Sequence, residues 1–108
     1  MADKYFPKVG DKLYLSQRTG NSWIDMVKTP YTVIGVTKTN VFIQACRCIF
    51  PTPRYFDTLP TSIEADPNGE IVKLNWAPKR GKWQIDRYQT GYPEFAYFGE
   101  WLYQPYLD

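Results

Sequence analysis

Turn signals punctuate this chain about every ten residues, and the runs between them alternate as strands do. Nine prolines and seven glycines in 108 residues supply the breaks. Gly10-Asp11 is the first signal, and Lys12 to Ser16 then alternates with Leu13 and Leu15 on one face. Residues 1–9 before it read as an arm. Arg18-Thr19-Gly20-Asn21-Ser22 is loop chemistry, and residues 23–29 fit no pattern. Tyr31 to Thr37 is rich in β-branched residues, which suit a pleated surface. Lys38-Thr39-Asn40 offers a tight turn, and Val41 to Ile49 returns as the second strand of a hairpin. Pro51 and Pro53 end that strand, because proline cannot donate to a ladder.

A Pro-rich loop over 51–61 carries Arg54, Tyr55, Phe56 and Asp57. Asp66-Pro67-Asn68-Gly69 is a strong turn. Glu70 to Trp76 alternates, with Val72, Leu74 and Trp76 inward and Lys73 and Asn75 outward. Pro78-Lys79-Arg80-Gly81-Lys82 makes the next turn, and Trp83 to Tyr88 returns with Trp83 and Ile85 inward. In the tail, Pro93-Glu94 and Gly99 bracket what suits one short helical turn. Trp101-Leu102-Tyr103 suits a short strand that Pro105 stops.

Five or six short strands predict an all-β domain, a small barrel or sandwich. A closed or partly open barrel at this length also protects its strand edges. A chain of 108 residues has room for one domain, 1–108, with the tail 91–108 packed on it or used as an interface.

Composition removes whole classes of chemistry. There is no histidine, so the commonest general base and metal ligand are missing, and Ser-His-Asp and Cys-His catalysis by this chain alone is excluded. Cys46 and Cys48 alone cannot complete a structural zinc site. Two residues of strand span roughly 6.7 Å, the outer limit for a disulfide. The two thiols therefore read as half-buried small residues, with a reactive thiol as the alternative. Asp57, Glu64, Asp66 and Glu70 gather around a loop, but their spacing supports neither glycoside hydrolysis nor Mg²⁺ binding. Gly81 is the lone glycine of the basic stretch 79–82, so no phosphate loop of the Walker kind is present. The expectation is a protein that is not an enzyme, with no cofactor and no metal. No apolar run reaches the roughly 20 residues of a membrane span, and the first residues lack the apolar core of a signal peptide. The expected setting is a reducing cytoplasm.

Gly10-Asp11-Lys12-Leu13-Tyr14-Leu15, a loop, Tyr31 to Thr37, a tight turn and Val41-Phe42-Ile43 follow one another in a recognisable order. That order resembles the opening of SH3-like barrels over about residues 9–50. It is also similar to small accessory proteins of tailed bacteriophages and prophages. The resemblance implies an SH3-like barrel of five or six strands that binds and modulates a host protein. Some such phage proteins inhibit host defence systems.

Charge and aromatic content suggest where contact would occur. Residues 1–87 hold all thirteen Lys and Arg against eight acids, while residues 88–108 hold three acids, no base and eight aromatic rings. Aromatic residues are enriched at interface cores, which makes Tyr97, Phe98, Trp101 and Tyr103 the predicted partner contact, or a surface for self-association. The bland reading is a tail that plugs its own barrel. Arg54, Lys79, Arg80, Lys82 and Arg87, near Tyr55, Trp76 and Trp83, are predicted to meet nucleic acid or an acidic partner. Against that stands a solvated hairpin tip above core tryptophans. A barrel mouth lined with aromatics would instead sequester a small ligand.

Overall fold

In a computed structural model the structure describes residues 4–18, 26–55, 58–85 and 94–105. The strands are β1 (Lys12–Arg18), β2 (Met26–Val36), β3 (Asn40–Ala45), β4 (Arg47–Ile49), β5 (Ser62–Glu64), β6 (Ile71–Ala77), β7 (Lys82–Ile85) and β8 (Glu94–Phe98), and among the described residues there is no helix. Six of them close into a barrel in the order β1-β2-β3-β6-β7-β8, every neighbour antiparallel. The architecture is all-β and consistent with a small SH3-like barrel. β4 and β5 pair with each other as a separate two-stranded arm, inserted between β3 and β6.

Closure depends on β1, which pairs along one edge with β2 and along the other with β8. The inward residues of all six strands form one cluster: Leu13 and Leu15, Tyr31 and Val33, Val41 and Ile43, Val72 and Leu74, Trp83 and Ile85, and Ala96. Alternation places them there, since a period of two sends every second side chain inside. Trp83 is completely buried, and burial of a side chain this large stabilises by roughly 2–3 kcal/mol. Register shifts between Val33 and Gly35 opposite β3, a bulge that leaves Ile34 exposed. A bulge of this kind bends a strand and helps a small barrel close.

The structure corrects three expectations and assigns part of one open stretch. Residues 94–98 form a strand, not a helical turn: five consecutive pairs with β1, from Leu13↔Phe98 to Gln17↔Glu94, outweigh the local helix-bracketing signals. Trp101-Leu102-Tyr103 is not a strand, and the chain there makes one antiparallel bridge, Lys28↔Gln104. The strand expected over Val41–Ile49 breaks at Cys46, where the chain leaves the barrel for the arm. Residues 26–29 of the unassigned stretch extend β2, whose lower half pairs with β1.

The two ends of the chain both fasten the barrel. Residues 4–6 dock over one mouth, with Tyr5 edge-on to Trp76 and Phe98 and Phe6 against Trp83. The C-terminal segment leaves β8 where Gly99 N–H donates to Lys12 O, on one edge of the β1–β2 ribbon. It reaches Lys28 on the other edge, where Gln104 and Lys28 exchange backbone hydrogen bonds of 2.9 and 3.0 Å. The outward-facing Lys12 holds its ammonium 4.4 Å from the Trp101 ring, so this strap crosses the outside of the barrel.

Candidate functional site

The four rings expected to meet a partner separate onto different surfaces. In β8, Ala96 faces inward, so Phe98 shares its side while Phe95 and Tyr97 face out. Phe98 packs against the core and the Tyr5 ring at the barrel mouth. Trp101 donates its indole N–H to Tyr31 O at 2.9 Å. Tyr103 lies edge-on to Phe50, centroids 5.3 Å apart. All four are half-buried. The tail thus supplies one wall of the barrel and a strap across it.

The basic residues divide too. Lys79 and Arg80 are exposed at the β6–β7 turn. Lys82 turns back along the outer wall: its ammonium is 3.3 Å from the Tyr97 hydroxyl, 5.0 Å from that ring's centroid and 5.5 Å from that of Phe95. Arg54 stacks its guanidinium 3.6 Å from the centroid of Phe50. Arg87 lies outside the described residues, as do Phe56 and Asp57. Beneath the tip, Trp76 and Trp83 are direct cross-strand partners with rings meeting edge-on at 5.4 Å. Both face the barrel interior, as alternation predicts.

Two surfaces emerge that sequence reading names only in fragments. The first is the arm, of which the sequence singles out Arg54 and Tyr55. Ile49, Tyr55 and Leu59 are 40%, 67% and 61% exposed. Their scaffold is ordered by short-range bonds. Thr61 N–H and Oγ1 both donate to Ile49 O, while Tyr55 N–H donates to Thr58 Oγ1 and Thr58 N–H donates to Tyr55 O. Arg47 pairs with Glu64 across β4 and β5, its Nε 2.9 Å from the carboxylate.

The second surface is the outer wall of β7, β8, β1 and β2. Tyr14 and Tyr97 are cross-strand partners whose rings stack at 5.3 Å with planes 18° apart. Lys82 lies over the far face of this pair from β7, and Lys28 reaches within 5.9 Å of the Tyr14 ring from β2. Lys12 and Trp101 extend the same face. The Tyr14 phenol is pushed above its ordinary range, first by burial, then by the negative charge of Glu100 and by Tyr97. Alternation alone placed Tyr14 opposite Leu13 and Leu15, but nothing local placed Lys28 or Tyr97 beside it.

The barrel interior is filled by Leu13, Val33, Val41, Ile43, Leu74 and Trp83 at 0–1% exposure. Cys46 and Cys48 are unpaired and half-buried. The Cys46 thiol lies 3.4 Å from the Thr32 hydroxyl. Burial pushes both thiols up, which disfavours the reactive thiolate. Among the described residues no group of three or more metal-ligating side chains comes together. No helix among them is long and apolar enough to cross a membrane. No protein family, curated protein or solved structure matches the chain.

Proposed function

We propose that this chain is a non-catalytic binding module that engages a protein partner through its β4–β5 arm. The carrying observation is the exposure of Ile49, Tyr55 and Leu59 on one hairpin that stands apart from the barrel sheet. Arg54, stacked on Phe50, adds a pre-ordered cation beside them. Tyrosine and arginine are enriched among interface hot spots. A hairpin already held by Arg47–Glu64 and the Thr58 and Thr61 bonds loses little further entropy on docking. The resemblance of residues 9–50 to phage accessory proteins supports a host protein as that partner, and inhibition of a host defence complex is the outcome we propose for binding.

The test is affinity capture from bacterial lysate with nuclease and high-salt washes, using wild type, Tyr55→Ala/Leu59→Ala, and Tyr97→Ala. A protein retained by wild type and Tyr97→Ala but lost by the arm variant supports the reading. Equal capture by all three, or capture that nuclease abolishes, overturns it.

A further inference from the structure

We propose that the outer wall of β7, β8, β1 and β2 binds single-stranded nucleic acid. The arm leaves the barrel between β3 and β6, while this wall is centred on the β8–β1 seam. The two adjoin where Tyr103 of the strap packs on Phe50, but Ile49, Tyr55 and Leu59 of the arm take no part in the wall.

The proposal rests on a repeated pairing of ring and ammonium. Lys82 lies over Tyr97 and Phe95, Lys28 over Tyr14, and Lys12 over Trp101, at 4.4 to 5.9 Å from the ring centroids. Strands in a sheet lie about 4.8 Å apart, so from β7 to β2 the row spans about 14 Å, a few nucleotides of extended chain. Lysine carries its charge on a flexible stem, and a cation–π contact at an exposed site is worth only about 0.5–1 kcal/mol. Each ammonium can swing from its ring to a phosphate oxygen at small cost, leaving the ring face free. Base–aromatic stacking is worth about 1–3 kcal/mol per base and is indifferent to sequence. Each pair is thus a site for one nucleotide, base on ring and phosphate on ammonium.

Charge and ring content select the ligand. Three lysines face outward here, and Glu100, the acid that acts on Tyr14, sits exposed just after β8 at the start of the strap. A duplex would satisfy the lysines but keeps its bases stacked internally, so the rings would go unused. Lys79 and Arg80, exposed beyond Lys82, lengthen the positive track at one end.

The experiment is fluorescence anisotropy of a labelled fifteen-residue oligo-dT and of a duplex of equal length, between 50 and 300 mM salt. Three phosphates on a single strand predict a log–log salt slope of about −2. Lys12→Gln/Lys28→Gln/Lys82→Gln should flatten that slope and lose more than about tenfold in affinity at 50 mM salt, while still unfolding in one cooperative transition well above the assay temperature. The corresponding Lys→Arg variant should retain the slope. Tyr55→Ala/Leu59→Ala should bind as wild type does, so failure of the arm reading leaves this one standing. Absence of salt-sensitive binding, equal or tighter binding of the duplex, or wild-type affinity in the triple Gln variant each overturns the proposal. So does loss confined to Lys79→Gln/Arg80→Gln.

Discussion

The indole N–H of Trp83 donates to the backbone carbonyl of Tyr5 at 2.8 Å, joining residues 78 positions apart. One hydrogen bond thereby ties the largest core side chain to the N-terminal arm. The Tyr5 ring then covers Trp76 and Phe98, and Lys4 reaches Lys38 O at 3.1 Å. The two positions should respond differently to truncation. Trp83→Ala removes the indole from the core and should cost about 3–5 kcal/mol, a large share of the stability of a domain this size. Tyr5→Ala keeps the accepting carbonyl and loses only edge-on ring contacts, about 1 kcal/mol. Urea midpoints of the two variants check this. Equal losses would mean that the arm, not the indole, holds that end of the barrel.

Gly69 is required by a close approach. A Cβ there would sit 2.0 Å from the carbonyl oxygen of Ala45 and 3.2 Å from that of Asp66. Ala45 N–H donates to Glu70 O at 2.9 Å, and Gln44 reaches the carbonyls of Pro67 and Gly69. The turn at 66–69 is thus fastened to the end of β3, where the chain departs into the arm. Gly69→Ala must displace backbone and should cost about 1–3 kcal/mol. At Gly35 an added Cβ meets Phe42 at an ordinary 3.7 Å. Gly35→Ala should stay within about 0.5 kcal/mol of wild type. Thermal midpoints that rank the two in the opposite order would refute the close-approach argument.

The sequence made most of the barrel legible because most of it is locally patterned. Leu13 and Leu15, Val72 and Leu74, Trp83 and Ile85 all lie inside as alternation requires. The turn at 66–69 falls where Asp66, Pro67, Asn68 and Gly69 place it, and the β2–β3 turn falls at 38–39 as expected, though Asn40 starts β3 instead of taking a left-handed turn conformation. β8 escaped for a physical reason. Its one fully inward residue is Ala96, small and flanked by rings on both faces, so no binary pattern distinguishes strand from helix there. Pairing with β1, some eighty residues earlier, decides it. At the break, Ala45 N–H donates to Glu70 O and Cys46 N–H to Pro30 O, contacts again made with residues distant in sequence. The candidate surfaces were least legible of all. Lys82 read as part of a basic tip, and its contact with Tyr97 exists only once β7 and β8 lie side by side.

The thiols and phenols give the fold an alkaline limit. Cys46 is raised chiefly by burial, with Asp66 adding and the Thr32 hydrogen bond and Lys12 pulling back. Cys48 is raised by burial and then by Cys46, with Arg54 pulling back. A thiol raised in the folded state keeps its proton where the unfolded chain loses it. Its contribution is whole below the ordinary value of 9.0 and is lost as pH rises through the folded value. Tyr5 and Tyr14, both raised above 10.0, steepen the loss beyond that pH. Urea midpoints should hold steady from pH 7 to about 8.5 and fall above about 9. Cys46→Ser/Cys48→Ser should flatten the first part of the fall and leave the steeper part. A midpoint that rises between pH 9 and 10 would contradict these assignments.

Tyr14 and Tyr97 face each other across β1 and β8 at the seam that closes the barrel, so their coupling measures how far side chains secure that closure. A stacked cross-strand pair of aromatics should show an interaction energy of about 0.5–1.5 kcal/mol in a double-mutant cycle with Tyr14→Ala and Tyr97→Ala. Lys82 and Tyr97, joined by a 3.3 Å hydrogen bond on the same face, should couple by less, about 0.5 kcal/mol. The two couplings should also part in salt. Ring stacking is indifferent to ionic strength, while an ammonium at an exposed ring weakens as charges are screened. Repeating both cycles at 1 M salt therefore separates them: the Tyr14–Tyr97 term should persist and the Lys82–Tyr97 term shrink. If both vanish, the seam is held by its backbone ladder alone and the outer rings are free to serve a ligand without loss to the fold.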